Sequence, residues 1–182
     1  MLGALGRADQ AVLRFLRTRG HFEPLETAMR TFGLAGEFAA VWAAIGAVGA
    51  TVDGRRRGRW LIAGATGPVA VGVNFAVKVA TGRKRPLIEE HPPLARAPTK
   101  LSFPSAHATS SVAGATALGR VEPRLRPGLF ALAAAICVGR PYLGMHYPSD
   151  VLAGAALGVA LGAIVPAPRP PPEPAADPDA TA

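Results

Sequence analysis

A single cysteine, Cys137, stands among 182 residues. That excludes an intrachain disulfide and any cysteine-based metal centre, and its apolar neighbours assign it a buried structural thiol. Lysine is nearly absent: Lys78, Lys84 and Lys100 leave 17 of the 20 basic residues as arginine. Aromatics make up 6% of the chain, too few to stack on bases, and no nucleic-acid-binding motif occurs. The net charge of +8 therefore does not indicate a nucleic-acid partner. No carboxylate cluster suited to a metal ion is evident, and Glu89, Glu90 and His91 read as a polar loop. A cleavable signal peptide is also missing, because Arg14, Arg17 and Arg19 interrupt any hydrophobic core near the N-terminus.

Apolar residues, by contrast, are abundant at 49%, with a mean hydropathy of +0.25. They fall in runs of Ala, Gly, Val, Leu and Ile separated by short charged segments, the pattern of a membrane-helix bundle. Residues 1–32 carry apolar positions at helical spacing (Leu5, Val12, Leu13, Leu16) with arginines between them, and read as an amphipathic segment in the membrane interface. Spans are expected over 33–52, 60–80, 104–118, 128–143 and 150–165. The last three are short and need close packing through Gly and Ala. The expected fold is all-α, a transmembrane bundle of about five helices over residues 33–165. The Pro- and Ala-rich stretch 166–182 is expected to be a disordered tail.

Alternating spans bring the ends of the second and fourth helices, and the starts of the third and fifth, to one membrane face. Lys78, Arg85, Ser105, His107, Arg140, His146 and Asp150 all lie at those four ends. Ionisable groups at membrane depth are costly and mark function. Basic residues suit a phosphate ester, whose oxygens repel nucleophiles until fixed positive charge is supplied, arginine offering bidentate geometry. The start of the third helix adds backbone donors for an anion.

These residues fall in three ordered motifs: KVATGRKRP from Lys78 to Pro86, Pro104-Ser105-Ala106-His107, and GRPYLGMHYPSD from Gly139 to Asp150. Together they resemble the type 2 phosphatidic acid phosphatase (PAP2) superfamily of integral-membrane lipid phosphatases. Ala106 replaces the family's usual glycine, and Gly139 the usual serine. The resemblance implies a metal-independent, cofactor-free hydrolase in which His146 is the nucleophile that forms a phosphohistidine. Asp150 then orients its imidazole and His107 is the acid and base. Lys78, Arg85, Ser105, Ala106 and Arg140 would bind phosphate. Pro148 argues that His146 ends a loop while Asp150 opens a helix.

The expected partners are membrane lipids and a lipid phosphate substrate. A polyprenyl-linked cell-envelope substrate is favoured, either undecaprenyl or decaprenyl pyrophosphate or decaprenylphosphoryl-5-phosphoribose. Phosphatidic acid or phosphatidylglycerophosphate hydrolysis, lipid phosphotransfer, and non-catalytic lipid-phosphate binding are the alternatives. The basic loops near Arg56 and Arg124 lie on the face opposite the motifs, which places the site outside the cytoplasm of a bacterial plasma membrane, although Arg7, Arg14, Arg17 and Arg19 count against that orientation.

Overall fold

A computed structural model describes residues 2–166, and every regular element among them is helical. The expectation for the tail therefore falls almost wholly outside the described residues. Seven α-helices follow in order: α1 (Leu2–Thr18), α2 (Glu23–Ala35), α3 (Ala40–Val52), α4 (Arg57–Thr81), α5 (Ala106–Val121), α6 (Arg126–Tyr142) and α7 (Pro148–Ala163).

Helix α5 is the hub, packed against α4, α6 and α7, with 12 of its 16 residues buried. It can be surrounded because its own side chains are small and its neighbours present glycine. Gly154, Gly158 and Gly162 recur every four residues along one face of α7, which rests on the α5 backbone. A Cβ at these positions would come within 2.6, 2.5 and 2.6 Å of the carbonyl oxygens of Ser105, Thr109 and Ala113. Such approach gains dispersion along the whole helix pair, the main source of association where no water is displaced. Trp42 of α3 fills the space over Gly114, its Nε1 donating to Ser111 Oγ at 3.3 Å, and joins Trp60, Leu118 and Ile136 in the core.

The outside is the more apolar surface. Ile62, Val69, Val73, Phe75 and Val79 of α4, and Leu152 and Val159 of α7, are exposed, while Asn74, Lys78, Thr109, Ser110 and Ser111 are buried. Polar-inside, apolar-outside packing suits a lipid solvent, and the chain is an integral membrane protein. The helix Gly54–Thr81 is long and apolar enough to cross a bilayer unaided.

The turns 53–56 and 122–125 meet at the end of the bundle away from the motif residues. There Arg56 donates to the Val121 carbonyl at 2.7 Å and to Glu122 at 3.0 Å, and pairs with Asp53.

The expected continuous span over 33–52 is broken. Helix α2 runs to Ala35, a 3-10 turn occupies Glu37–Ala39 with Phe38 and Ala39 at φ of 50° and 61°, and the axis bends by 49° before α3. Non-glycine residues in this region are strained. Apolar content alone did not disclose the break, whose cause is tertiary: it lets Gly36 approach Ile136 and His107, where a Cβ would lie 2.9 and 3.1 Å away, and turns the Gly33 carbonyl toward His107. Helix α5 also begins at Ala106 rather than Pro104, because the extended Ser105 commits its N–H to the Asp150 carbonyl at 3.0 Å.

The amphipathic N-terminal segment is two helices, and α1 turns polar as well as apolar residues inward. Leu13 is buried while Leu5, Val12 and Phe15 are exposed, and the inward polar residues are Asp9 and Arg17.

Gly158→Val tests the packing account. A side chain driven into the α5 backbone should lower stability by about 1–3 kcal/mol, read as a lower thermal unfolding midpoint in detergent. The same change at Gly72, which has open space around it, should cost less.

Candidate active site

The four helix ends converge as anticipated. The C-terminal ends of α2, α4 and α6, the turn Glu37–Ala39, the N-terminal end of α5, and the segments 82–105 and 143–147 line a largely apolar cavity of about 580 Å³, with the start of α7 behind them. Lys78, Arg85, Ala106, His107, Arg140 and His146 line it. Ser105 and Asp150 are fully buried behind that lining.

His146 stands in the loop before α7, with Pro148 and Asp150 at the first and third helical positions. Its ring nitrogens are distinguished by their neighbours. Arg85 Nη1 lies 3.1 Å from Nε2, and since arginine can only donate, Nε2 must carry the lone pair. The proton of the neutral ring is then on Nδ1, which faces Ser102 Oγ at 3.3 Å. Ser102 in turn donates to Asp150 Oδ2. The direct distance from Nδ1 to Oδ2 is 3.6 Å, beyond a hydrogen bond, so the link from Asp150 to the imidazole runs through Ser102. Burial, with the charges of Arg85 and Lys78, holds the His146 pKa down to about 4 against the opposing influence of Asp150. The ring is neutral, and its Nε2 electron pair, met by Arg85, faces the cavity.

The cations divide by how their donors are used. Lys78 Nζ donates to three carbonyls, Leu101, Ser102 and Pro104, at 3.3, 3.2 and 3.0 Å. Its three protons tie α4 to the loop, while its charge still faces the cavity. Arg85 donates to Thr99 O at 2.8 Å and Met145 O at 2.7 Å besides meeting His146. Arg140 differs: it is 4% exposed, yet Nε and Nη2 have no protein partner. A buried guanidinium with idle donors is costly to maintain and is the strongest sign of an anionic ligand here. Gly33 makes room for it, since a Cβ there would collide with Nη2.

His107, at the second position of α5, donates from Nε2 to the Gly33 carbonyl at 3.1 Å. The Ser105 hydroxyl is buried without a partner, and Ala106 sits at the first helical position facing the cavity. At Gly139 a Cβ would meet Met29 at an ordinary 3.5 Å, so the position faces α2.

Three contributors escaped the sequence reading. Ser102 is the hydroxyl between Asp150 and His146. Arg83 donates to Asp150 Oδ1 and Ser149 Oγ, each at 2.8 Å. Asp9 joins Arg83 from α1 at 2.8 Å. A charged residue at an unassigned position within a motif is a weak signal, and Asp9 gave none. Among the described residues, no three His, Cys, Asp or Glu side chains gather as a metal-ion ligand set.

Arg140→Met should raise the ligand-free unfolding midpoint by a few degrees, each kcal/mol recovered being worth about 2–4 °C in a chain of this size. The same variant should lose the stabilisation that orthovanadate gives the wild type. An unchanged or lower midpoint would show that the guanidinium is already satisfied.

Comparison with known proteins agrees with this arrangement. The PAP2 superfamily model matches residues 59–169. A protein named decaprenylphosphoryl-5-phosphoribose phosphatase from Mycobacterium tuberculosis (strain ATCC 25618 / H37Rv) is 42% identical over 126 residues, 68% of each chain. Its namesake in Mycolicibacterium smegmatis is 37% identical over 131 residues, 70% of each. In fold, the chain superposes with a TM-score of 0.70 on the transmembrane PAP2-type phosphatidylglycerolphosphate phosphatase from Bacillus subtilis, at 22% identity and covering 89% of this chain and 84% of that one. With the three motifs assembled at one end of the bundle and these relatives sharing most of its length, the chain belongs to the PAP2 superfamily of membrane phosphatases.

Proposed function

We propose that this phosphatase hydrolyses a polyprenyl-linked phosphate of the cell envelope, with decaprenylphosphoryl-5-phosphoribose the favoured substrate, through a phosphohistidine on His146. The observation that carries the chemistry is the unpartnered Arg140 guanidinium in the same cavity as the unprotonated Nε2 of His146, which Arg85 meets at 3.1 Å. The substrate class rests on the two mycobacterial relatives and on the cavity's apolar wall of Leu34, Phe38, Val71 and Phe75.

In this reading the phosphoryl group sits against Arg140, Arg85 and the first backbone N–H groups of α5, under the positive field of Lys78. His146 Nε2 attacks phosphorus, the bond from phosphorus to the lipid-side oxygen breaks, and His107, which takes up a proton as the phosphate anion binds beside it, gives that proton to the oxygen. Water then attacks the phosphohistidine, His107 takes the proton back, and inorganic phosphate leaves with His146 restored. Asp150, through Ser102, stabilises the positive imidazole that forms on phosphorylation. No step uses a metal ion.

Five crossings are proposed: the bent α2–α3 pair, α4, α5, α6 and α7. Residues 33–165 form the catalytic bundle and α1 lies at the interface. Helices α5 to α7, of 16 or 17 residues, are about 24–26 Å long at 1.5 Å per residue. That is slightly less than a bilayer core of about 30 Å, a shortfall that local thinning accommodates. The basic turns around Arg56 and Arg124 support a cytoplasmic placement for the far end and an extracytoplasmic site.

The test is phosphate release by detergent-solubilised protein from decaprenylphosphoryl-5-phosphoribose, undecaprenyl pyrophosphate, phosphatidic acid and phosphatidylglycerophosphate. Release should persist in EDTA, rank the pentose-phosphate lipid first, and fall by at least about 10³-fold in His146→Ala. Preference for a glycerolipid would overturn the substrate class, and full activity in the variant would overturn the nucleophile.

A pH profile adds an independent check. Neutral His146 is required in the free enzyme, and its pKa near 4 means the imidazole stays competent as pH falls through 6.5. The acid limb of kcat/KM assigned to the nucleophile should therefore lie below about pH 5, and a limb near 6.5 that moves in Ser102→Ala, which keeps the nucleophile and alters its surroundings, would contradict the burial described.

A further inference from the structure

Asp9 is buried to 4% exposure on a helix that is otherwise largely outside the core, and it lies 50 residues before the segment matched by the PAP2 family model. A carboxylate in such a place must be compensated, and its partners are all on the catalytic side. Oδ2 accepts from Arg83 Nη2 at 2.8 Å and from the Ser149 hydroxyl, and Oδ1 accepts from the Ser149 backbone N–H at 2.9 Å. Ser149 occupies the second position of α7, so Asp9 satisfies a free N–H of that helix from 140 residues away and adds negative charge where the dipole favours it.

Arg83 carries the connection inward. Its Nη1 donates to Ser149 Oγ and Asp150 Oδ1, and its plane lies 4.2 Å over the Tyr147 ring. With Arg83 on Oδ1, the other oxygen of Asp150 is left for Ser102 and for the Tyr147 N–H, at 2.9 Å. Ser102 then faces Nδ1 of His146. The sequence from Asp9 through Arg83, Asp150 and Ser102 to His146 is continuous, each step a charged or hydrogen-bonded contact. Arg17 supplies a second attachment of α1, donating to Tyr142 O at 3.2 Å and Pro92 O at 2.7 Å, so the helix is held firmly enough for Asp9 to act as a fixed anchor.

We propose that Asp9 is a positioning residue for catalysis: the N-terminal helix completes the active site by clamping Arg83 and the start of α7, which sets the carboxylate of Asp150 so that His146 presents Nε2 to the phosphoryl group. The inference rests on the phosphohistidine reading above. Without the anchor, Arg83 is free to turn both its donors on Asp150, withdrawing the oxygen that serves Ser102 and releasing the imidazole to rotate or change tautomer. Substrate binding, which uses Arg140 and Arg85, is left intact.

Two measurements test this and separate its failure from failure of the functional reading. In phosphate release from a lipid phosphate that the wild type hydrolyses, Asp9→Asn should lower kcat about 10- to 100-fold with KM within about threefold, and Asp9→Glu should recover most of the loss. Asp9→Asn in an Arg83→Gln background should add less than about twofold, since both act through one path. Should Asp9→Asn not fold, Ser149→Ala, which removes only the shared hydroxyl, should show the same kcat loss in smaller degree. The second measurement needs no turnover: 15N-histidine spectra of the full chain in detergent, with the His146 signal assigned by its loss in His146→Ala. The wild type should show the Nδ1–H tautomer, and Asp9→Asn or Ser149→Ala should show mixed tautomers or exchange broadening. Identical His146 spectra in wild type and variant, unchanged kcat, or a loss that falls on KM would each overturn the proposal. Absence of release by the wild type from every lipid would overturn the phosphatase reading while the spectra still decide the role of Asp9.

Discussion

The structure is organised around positive charge buried at one end of a helical bundle without enough negative charge to match it. Lys78, Arg83, Arg85 and Arg140 gather there, and Asp9 and Asp150 are the buried carboxylates among them. Each cation is handled differently. Arg83 takes both carboxylates, Lys78 is satisfied by carbonyl dipoles, Arg85 by carbonyls and an imidazole, and Arg140 is left with idle donors. The order matters because a charge that is fully paired cannot respond to a ligand. Lys78, Arg83 and Arg85 spend their donors on the protein itself, and Arg140 keeps its own, which is why the proposed function gives it the anion.

Holding an unpaired guanidinium in place requires a frame that cannot relax around it. The small-residue contacts provide that frame. Where α7 rests its glycines on the α5 backbone, neither helix can slide or rotate without losing contacts along its full length. The fixed pair presents Ala106 and His107 from one helix, and Ser149 and Asp150 from the other, at neighbouring N-termini. The bend after α2 serves the same end from another direction, spending unfavourable backbone at Phe38 and Ala39 to set the Gly33 carbonyl against His107 and leave room for Arg140. Rigidity and strain are thus both located around the cation that has no partner.

Much of this was legible in the sequence because it follows from counting. Alternating span direction was enough to bring Lys78, His107, Arg140 and His146 together, and Pro148 correctly separated the loop carrying His146 from the helix carrying Asp150, although that helix opens at Pro148 itself. What stayed hidden depends on contacts between distant residues. A hydrophobic run does not reveal where tertiary packing will break it, so 33–52 read as one span. Ser102 is an ordinary loop serine until the fold inserts it between two motif residues. Asp9 looks like any polar residue of an amphipathic helix, and nothing in the periodicity of α1 shows that Asp9 and Arg17 turn inward as its polar anchors.

The same charge arrangement bears on how such a site selects its substrate. The cavity wall offered to a lipid is made of Leu34, Phe38, Val71 and Phe75, and three of these, Leu34, Phe38 and Phe75, are also exposed on the apolar exterior. A lipid tail can therefore remain in a continuous apolar environment from bilayer to cavity while its phosphate reaches Arg140. A water-soluble phosphate ester gains the same countercharge but none of that apolar contact, worth about 0.8 kcal/mol for each buried methylene. Discrimination in favour of a long-chain substrate then needs no specific recognition of the chain. It follows from placing an unsatisfied cation at the depth where only an amphiphile presents its phosphate, and it leaves the rim residues Arg30, Glu37 and Arg96 as the groups within reach of whatever lies between phosphate and tail.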